Sequence, residues 1–228
     1  MFEDRFDAGR QLAKRLKKYE AQHPLVIALP RGGVAVGFPI AQSLRAPLEV
    51  VVVRKIGSPY NTEFGVGAIA EDGIVFKDIR MLDMLQISAD VLESIQKHEV
   101  SELERRKQLY RNGDPLPLLT NKTIILVDDG LATGVTAHAA ILSIKKHHPK
   151  KIIFVIPVCS QQTAAAIREL IDTVICLECL EHLEAIGNYY NDFREVTDED
   201  VLRLLDKVNG NKQIVHSEDN DFAHKIVW

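Results

Sequence analysis

Short aliphatic runs alternate with helical patterns along most of the chain, and this alternation restricts the possible folds. The runs are continuous and rich in β-branched residues, which is typical of strands buried on both faces of a parallel sheet. Helical patterns occupy about 34–45, 134–148 and 161–171 between them. This order predicts an α/β fold with a central, mainly parallel five-stranded sheet flanked by helices. The five predicted strands are Leu25–Leu29, Leu48–Val53, Thr123–Val127, Lys151–Pro157 and Thr173–Glu178.

Two further helices set the expected limits of the domain. The first covers about 4–20, and the last covers about 198–208, where Thr197 and Asp200 resemble a capping box. Asn209 and the glycine after it predict a turn. We therefore expect one domain over 1–208 and a C-terminal tail over 209–228.

The stretch from Arg54 to Asn121 interrupts the alternation and is too long for a simple crossover. It contains a hairpin pattern over 68–76, in which Asp72-Gly73 suits a two-residue type I′ turn. A charged helix is predicted after it, from about Ser88 to Tyr110. Excursions near strand ends of α/β proteins are usually lids or binding loops, so we expect this stretch to serve a site.

Charge and hydropathy exclude several functional classes. The 228 residues include 28 Lys and Arg against 32 Asp and Glu, a net charge of −4 that disfavours nucleic acid as a partner. No apolar run approaches the ~18 residues that a membrane span needs, so no membrane partner is expected. The acidic start and the three cysteines favour a cytoplasmic, reducing location.

The most informative stretch runs from Ile124 to Thr136. Its aliphatic strand brings Asp128 and Asp129 to a carboxyl end, where α/β sheets bind ligands. A turn of small residues follows and a helix begins, and a helix N-terminus favours a phosphate. Two carboxylates would repel that phosphate, but they suit hydroxyl donors or Mg²⁺. The pattern therefore predicts a site for a phosphorylated ribose with room for magnesium.

This stretch resembles the 5-phosphoribosyl-1-pyrophosphate (PRPP) signature of the type I phosphoribosyltransferases. The resemblance implies that Asp128 and Asp129 hold the ribose hydroxyls and contact Mg²⁺ indirectly, through PRPP. It also implies that the loop after them cradles the 5′-phosphate. The alternative is a strand–turn–helix whose aspartates only cap the helix. The implied loop residues are Gly130, Leu131, Ala132, Thr133, Gly134 and Thr136.

Two other predicted strand ends resemble parts of the same family. The sequence after Leu29, Pro30-Arg31-Gly32-Gly33, resembles its pyrophosphate loop, and the strand ending at Val53 is followed by two cations. A departing pyrophosphate needs such donors, although each cation could also be merely solvated. The resemblance implies that Arg31 and Lys55 are catalytic together with the acid pair. It assigns pyrophosphate binding to Arg31, Gly32, Gly33, Arg54, Lys55 and Arg105.

The resemblance also gives roles to two longer segments. The insertion at about 56–120 corresponds to a flexible loop that closes over the active site, and about 180–208 corresponds to a hood. Tyr189 and Tyr190 are candidates to stack on the acceptor, with packing of the C-terminal helix as the alternative. Ala132 stands where the 6-oxopurine enzymes carry an aspartate, which argues against a hypoxanthine or guanine acceptor of that type.

The charged helix of the insertion offers candidates to reach PRPP or to move a proton. Most of this charge run is expected to be a solvated helix face. If the acceptor needs acid–base help, a glutamate of the mobile loop could supply it. The candidates are Glu102, Glu104, Arg105 and Arg106 for PRPP, and Glu63, Glu102 and Glu104 for the proton.

The resemblance implies an enzyme that transfers 5-phosphoribose from PRPP to a nitrogenous base and releases pyrophosphate, and it implies a homodimer. The alternative is a PRPP-sensing regulator of the same fold with little catalysis. PRPP synthesis is disfavoured, because neither an ATP site nor a repeated domain is evident.

Two weaker motifs are set aside. Gly65-Val-Gly67 begins a dinucleotide-type fingerprint, but a hairpin rather than a helix is predicted after it. Cys176 and Cys179, with His182 nearby, hint at a metal or redox site. Residues three apart on one strand point to opposite faces, so zinc is disfavoured.

Overall fold

The computed structural model describes residues 1–62 and 64–219, with side chains described up to residue 210. Eight strands are numbered in chain order. The predicted α/β architecture is confirmed, because five of the strands form one all-parallel sheet in the order β2-β1-β6-β7-β8. The strands are β1 Leu25–Ala28, β2 Leu48–Val50, β3 Val53–Gly57, β4 Gly65–Ala70, β5 Ile74–Lys77, β6 Thr123–Val127, β7 Lys151–Ser160 and β8 Thr173–Leu180.

Helices cover both faces of this sheet, which explains why its strands lack polar alternation. Ile125 and Val127 of β6 join a cluster with the helices of one face, while Ile124 and Leu126 join a cluster with those of the other. Successive side chains of a strand point to opposite faces, so both sets are buried. The helices are α1 Arg5–Leu16, α2 Gly32–Leu44, α3 Ile79–Met84, α4 Ala89–Arg111, α5 Val135–Lys146, α6 Gln161–Arg168 and α7 Asp198–Asp219.

The last helix differs from its predicted length. It begins at Asp198, and the Thr197 hydroxyl accepts a hydrogen bond from Asp200 N at 3.1 Å, as a capping residue does. The turn predicted at Asn209 is wrong, because the helix continues to Asp219. Asn209 instead exchanges side-chain hydrogen bonds with the backbone of Leu48, which ties α7 to β2. The rest of the predicted tail, 220–228, lies outside the described residues.

The predicted strand Leu48–Val53 divides between two sheets. Its first part is β2, and its end begins β3, which forms an antiparallel sheet with β4 and β5. The predicted hairpin is present between β4 and β5, with a three-residue loop over Glu71–Gly73 instead of two residues. Asp72 and Gly73 both have positive φ, at 62° and 71°. The insertion therefore contains its own small sheet and the long helix α4.

A buried ion pair fastens this second sheet to the first. The Glu71 carboxylate accepts a hydrogen bond from Val52 N at 2.6 Å and pairs with Arg111 at the end of α4. Arg111 also donates to the carbonyl oxygen of Val50 at 3.4 Å. The hairpin loop and the end of α4 are thus held at the end of β2. Within the described part of the chain, no helix is both long and apolar enough to cross a membrane.

Candidate active site

The acid pair lies directly after β6, at the carboxyl edge of the parallel sheet. Asp129 N donates a hydrogen bond of 2.9 Å to Asp128 Oδ1. Burial raises the pKa of Asp128 well above its usual range, and the neighbouring Asp129 charge raises it further. Two carboxylates held side by side in this way suit a ligand that brings hydroxyl donors or a cation.

The glycine loop, residues 30–33 at the junction of β1 and α2, packs against the acid pair. A Cβ on Gly32 would overlap the Asp129 carboxylate, and one on Gly33 would lie 2.7 Å from the carbonyl oxygen of Val127. Only glycine allows this close approach. The Pro30–Arg31 peptide in this loop is cis. Two segments that the sequence suggested separately therefore meet in the structure.

The loop from Gly130 to Gly134 is anchored on one side and open on the other. Leu131 N donates to the carbonyl oxygen of Val158 at 2.9 Å, and Ser160 N donates to the carbonyl oxygen of Leu131 at 3.2 Å. Thr163 Oγ1 donates to the carbonyl oxygen of Ala132 at 2.6 Å. Ala132 and Thr133 are nevertheless exposed.

The helix that follows this loop starts immediately. Gly134 has φ 79° as its N-cap, a conformation that favours glycine, and α5 begins at Val135. A Cβ on Gly130 would lie 2.5 Å from Ile186 Cγ2, so the segment after β8 closes over the start of the loop. An anchored, exposed loop at a helix N-terminus can bind an anion.

Arg5 is a site residue that the sequence did not suggest. Its Nε lies 2.7 Å from Asp129 Oδ2, and its Nη1 donates to the carbonyl oxygen of Arg194 at 2.8 Å. The guanidinium lies 3.8 Å from the centre of the Phe193 ring. With 10% of its side chain exposed, Arg5 is a nearly buried partner for one acid of the pair.

Tyr190 reaches the acid pair from the segment after β8. Its hydroxyl donates to the carbonyl oxygen of Asp129 at 2.7 Å, and its ring packs 5.4 Å from that of Phe2 and 5.0 Å from that of Phe193. Burial raises the pKa of this hydroxyl, with a contribution from the Asp129 charge. Tyr189 is half-buried against the Phe2–Tyr190 cluster, and its carbonyl oxygen accepts from Phe2 N at 2.8 Å.

Arg31 and Arg105 are brought together by one carboxylate at the start of α7. Arg31 pairs with Glu195, and its Nη1 lies 3.9 Å from Asp198 Oδ1. Arg105 Nη2 lies 3.4 Å from the other oxygen of Asp198, and the Tyr110 hydroxyl donates to Oδ1 at 2.5 Å. The glycine loop and α4 of the insertion therefore meet at Asp198, a residue that sequence spacing could not connect to either.

The other candidates of α4 are bound to one another. Glu102 accepts from Arg105 at 2.7 and 2.9 Å and from Arg106 at 3.0 Å. These contacts, with the Arg105 hydrogen bond foremost, lower the pKa of Glu102 to about 2, far from the range of a general base at neutral pH. Glu104 is exposed and lies 3.6 Å from Lys107. Glu63 lies outside the described residues.

Lys55 and Arg54 face different surroundings, as neighbours on one strand do. Arg54 Nε lies 2.8 Å from Glu99 on α4. The stem of Lys55 lies beside Gly65, where a Cβ would be 3.1 Å from Lys55 Cδ and 2.9 Å from Val135 Cγ2. Lys55 therefore lies near the start of α5, while Arg54 points to the long helix.

A cavity of about 350 Å³ lies between α1 and the segment that leads into α7. Its lining includes Arg5, Phe6, Ala35, Arg194 and Glu195. Because Arg5 also contacts Asp129, this cavity adjoins the acid pair. Its mixed lining suits a small polar molecule.

Among residues 1–62 and 64–210, whose side chains the structure describes, no three His, Cys, Asp or Glu residues are arranged to hold a metal ion. This applies to the Cys176, Cys179 and His182 hypothesis. An ion at the acid pair would need further ligands from a substrate.

Comparisons with known proteins match most of the chain. The sequence matches the phosphoribosyl transferase domain family over residues 3–194. It is 38% identical over 210 residues to two Mycobacterium tuberculosis proteins, named "Putative phosphoribosyl transferase Rv0571c" and "Putative phosphoribosyl transferase MT0597". The match covers 92% of this chain but 47% of theirs, so the chain spans about half their length.

Among solved structures, the crystal structure of TT1426 from Thermus thermophilus superposes with a TM-score of 0.74 at 35% identity. The alignment covers 90% of this chain and 97% of that one. The likeness therefore extends over most of the chain.

Proposed function

The chain belongs to the phosphoribosyl transferase domain family, and from that premise we propose that it transfers 5-phosphoribose from PRPP to a nitrogenous base or related nucleophile and releases pyrophosphate. The observation that carries this proposal is the contact between the glycine loop and the acid pair, beside an exposed loop at the start of α5. This arrangement offers groups for each part of PRPP within one sheet edge.

The ribose and its phosphate are expected at the acid pair and the adjoining loop. Asp128 and Asp129 accept hydrogen bonds from the two ribose hydroxyls, since carboxylates are acceptors only. The 5′-phosphate binds backbone N–H groups between Ala132 and Gly134. The hydroxyls of Thr133 and Thr136 add donors there.

The pyrophosphate is expected at the glycine loop, where Arg31, Gly32, Gly33 and Lys55 supply donors. As the bond to C1′ breaks, negative charge grows on the leaving group and these donors stabilise it. Arg105 is close enough to join them through the shared carboxylate Asp198. Arg54 can contribute only if it leaves Glu99.

The residues present fit a magnesium ion bound together with PRPP. Mg²⁺ prefers oxygen ligands, which the hydroxyls and pyrophosphate of PRPP would supply beside the acid pair. When bound, the ion would neutralise charge on the pyrophosphate. Asp128 and Asp129 would contact it through the ribose hydroxyls of PRPP.

The protein's part in the transfer is positioning and exclusion of water. The C1′–O bond breaks and its electron pair leaves with pyrophosphate. The lone pair of the acceptor nitrogen then forms the new bond with inversion, and the acceptor loses a proton. With the pKa of Glu102 lowered to about 2, Glu104 and Glu63 remain the glutamates proposed to take that proton.

The acceptor is proposed to enter the cavity beside Arg5. Tyr190 would then help to position the acid pair, through its hydrogen bond to the Asp129 backbone. Tyr189 is less buried than Tyr190 and is therefore the better candidate to stack on the acceptor. A homodimer and a cytoplasmic location remain expectations from the family and the composition.

The proposal is tested by pyrophosphate release. The protein is incubated with PRPP, Mg²⁺ and a panel of purine, pyrimidine and pyridine bases, with Asp128→Asn/Asp129→Asn as the control variant. Base-dependent release by the wild type alone supports the transferase. PRPP binding without release for any base would favour the PRPP-sensing regulator instead.

A further inference from the structure

Three cysteines gather at the carboxyl ends of β7 and β8. Cys159 is opposite Cys179 in the parallel register of these strands. Cys176 is opposite Ile156, but its side chain leans along β8, with Sγ 3.1 Å from the carbonyl oxygen of Glu178 and 2.8 Å from Sγ of Cys159. The two sulfur atoms are closer than unbonded sulfur atoms normally approach. All three thiols are free. Cys159, outside the Cys176–Cys179 motif that the sequence suggested, therefore completes a thiol cluster.

This thiol cluster (Cys159, Cys176 and Cys179) is bonded to the proposed phosphate loop. Cys159 and Leu131 form a parallel β-bridge, with hydrogen bonds on either side of Cys159 between Leu131 and the residues Val158 and Ser160. A movement of the end of β7 would therefore displace the loop that follows the acid pair.

A second chain of contacts connects the thiol cluster to the acid pair. Leu177, next to Cys176, packs on the cluster of Phe2 and Tyr190, and the Tyr190 hydroxyl donates to the Asp129 backbone. Leu131 thus contacts β7 directly, while Asp129 is linked to β8 indirectly, through Tyr190 and Leu177.

The three thiols differ in their exposure to solvent and therefore in their access to an oxidant. Cys159 is buried, Cys176 is half-buried and Cys179 is exposed. The hydrogen bond with Cys176, together with burial, raises the pKa of the Cys159 thiol, so Cys159 remains protonated and is a poor first target for an oxidant. Cys176 is reached by a small oxidant and has Cys159 against its sulfur.

We propose that Cys159 and Cys176 are an oxidative modification site that closes to a disulfide on exposure to a peroxide. The Cys176 sulfur attacks the peroxide, the O–O bond breaks, and a sulfenic acid and one water form. The Cys159 sulfur then attacks the sulfenic sulfur and expels a second water. The two thiols lose two protons and two electrons, and hydrogen peroxide is reduced to two waters.

Closure of this bond alters the phosphate loop. An S–S bond is about 2.05 Å long, so the sulfur atoms must approach by about 0.8 Å and the bond torsion must be satisfied. The end of β7 moves to allow this and shifts Leu131 through its two hydrogen bonds. We expect oxidation to weaken PRPP binding by about tenfold, within the usual range of coupling between sites. This second step rests on the proposed function, whereas disulfide formation does not.

The test is peptide mass analysis after mild hydrogen peroxide, with alkylation of the remaining thiols. The wild type should form a Cys159–Cys176 linkage that dithiothreitol reverses, and Cys179→Ser should form it equally. Cys159→Ser and Cys176→Ser should not form it. A Cys159–Cys179 linkage, or oxidation of Cys179 alone, would overturn the proposal.

A second measurement separates this inference from the proposed function. Hydrogen exchange of the backbone over residues 130–136 is compared between reduced and oxidised Cys179→Ser, without any ligand. Faster exchange in the oxidised form supports coupling, and unchanged exchange overturns it. If neither form binds PRPP while the disulfide forms, the proposed function fails and the modification site stands.

Discussion

Arg5 Nε lies 2.7 Å from Asp129 Oδ2, so the first turn of the N-terminal helix fixes one carboxylate of the acid pair. The other contacts of Arg5, with the Arg194 carbonyl oxygen and the Phe193 ring, hold its guanidinium in place. One oxygen of Asp129 is thereby oriented by the protein. The segment after β8 and the first turn of α1 meet at the site through this arginine.

Replacing Arg5 should weaken PRPP binding. Arg5→Met leaves Asp129 without its charged partner, and hydrogen bonds to charged groups contribute about 1.5–3 kcal/mol, so we expect a loss of about tenfold to a hundredfold in affinity. Arg10→Met, on the same helix with a side chain 60% exposed, is the matched control and should bind normally. Equal affinity of both variants by calorimetry would show that Arg5 does not orient the site.

Asp128→Asn should stabilise the fold while removing PRPP binding. Burial raises the pKa of Asp128 in the folded state, so the folded protein binds more protons than the unfolded one, and stability falls as pH rises through that range. The stabilisation by asparagine should therefore grow from pH 5 to pH 8. A tenfold change in proton affinity corresponds to about 1.4 kcal/mol, so a stabilisation of at least about 1 kcal/mol is expected.

Thermal unfolding at several pH values measures this effect. About 1 kcal/mol corresponds to a Tm increase of about 2–4 °C for a chain of this size. The exposed Asp114→Asn serves as control and should change little. A destabilised Asp128→Asn protein at pH 8 would contradict the expected electrostatic cost of the acid pair.

Arg111→Met should strongly destabilise the protein. The change leaves Glu71 buried without its cation, and breaking a buried pair costs about 3–5 kcal/mol. Glu71 has a raised pKa from burial even with Arg111 present, so it can take up a proton in the variant and the cost should be smaller at pH 5 than at pH 8. Lys97→Met, which removes an exposed pair with Glu93 on the same helix, should cost under about 1 kcal/mol in urea unfolding. Similar midpoints for the two variants would mean that the ion pair does not hold the insertion.

Glu195→Gln should tighten binding of pyrophosphate. Glu195 pairs with Arg31, so it competes with an anion for that cation. Exposed pairs are worth about 0.2–1 kcal/mol, and removal of this competitor should raise affinity by up to about fivefold. Glu181→Gln, at another exposed glutamate, should have no effect. Weaker binding by Glu195→Gln in a pyrophosphate titration would instead show that Glu195 orients Arg31 for its ligand.

The sequence was sufficient to predict the five-stranded sheet because its central strands, β1, β6 and β7, are buried on both faces. Continuous aliphatic runs that alternate with helical patterns favour a parallel sheet, and strand β6 was predicted with its observed limits. The division of Leu48–Val53 between two sheets was missed, because residues on either side of the division are equally apolar. The length of α7 was missed because Asn209 and Gly210 favour a turn locally, while tertiary contacts such as Asn209 with Leu48 favour the helix.

The site was predictable only where its residues are adjacent in sequence. Asp128, Asp129 and the loop after them form one local pattern, and the glycine loop forms another. Arg5 and Asp198 were missed because their contacts join residues far apart in the chain, which no spacing rule connects.

The most direct test of the proposed site is calorimetric titration with PRPP, with and without Mg²⁺. The wild type should bind PRPP, and bind it more tightly with magnesium. Asp128→Asn/Asp129→Asn should remain folded and lose that binding. Magnesium-dependent binding retained by the double variant, or no binding by the folded wild type at millimolar PRPP, would contradict the assignment of the acid pair to the ribose of PRPP.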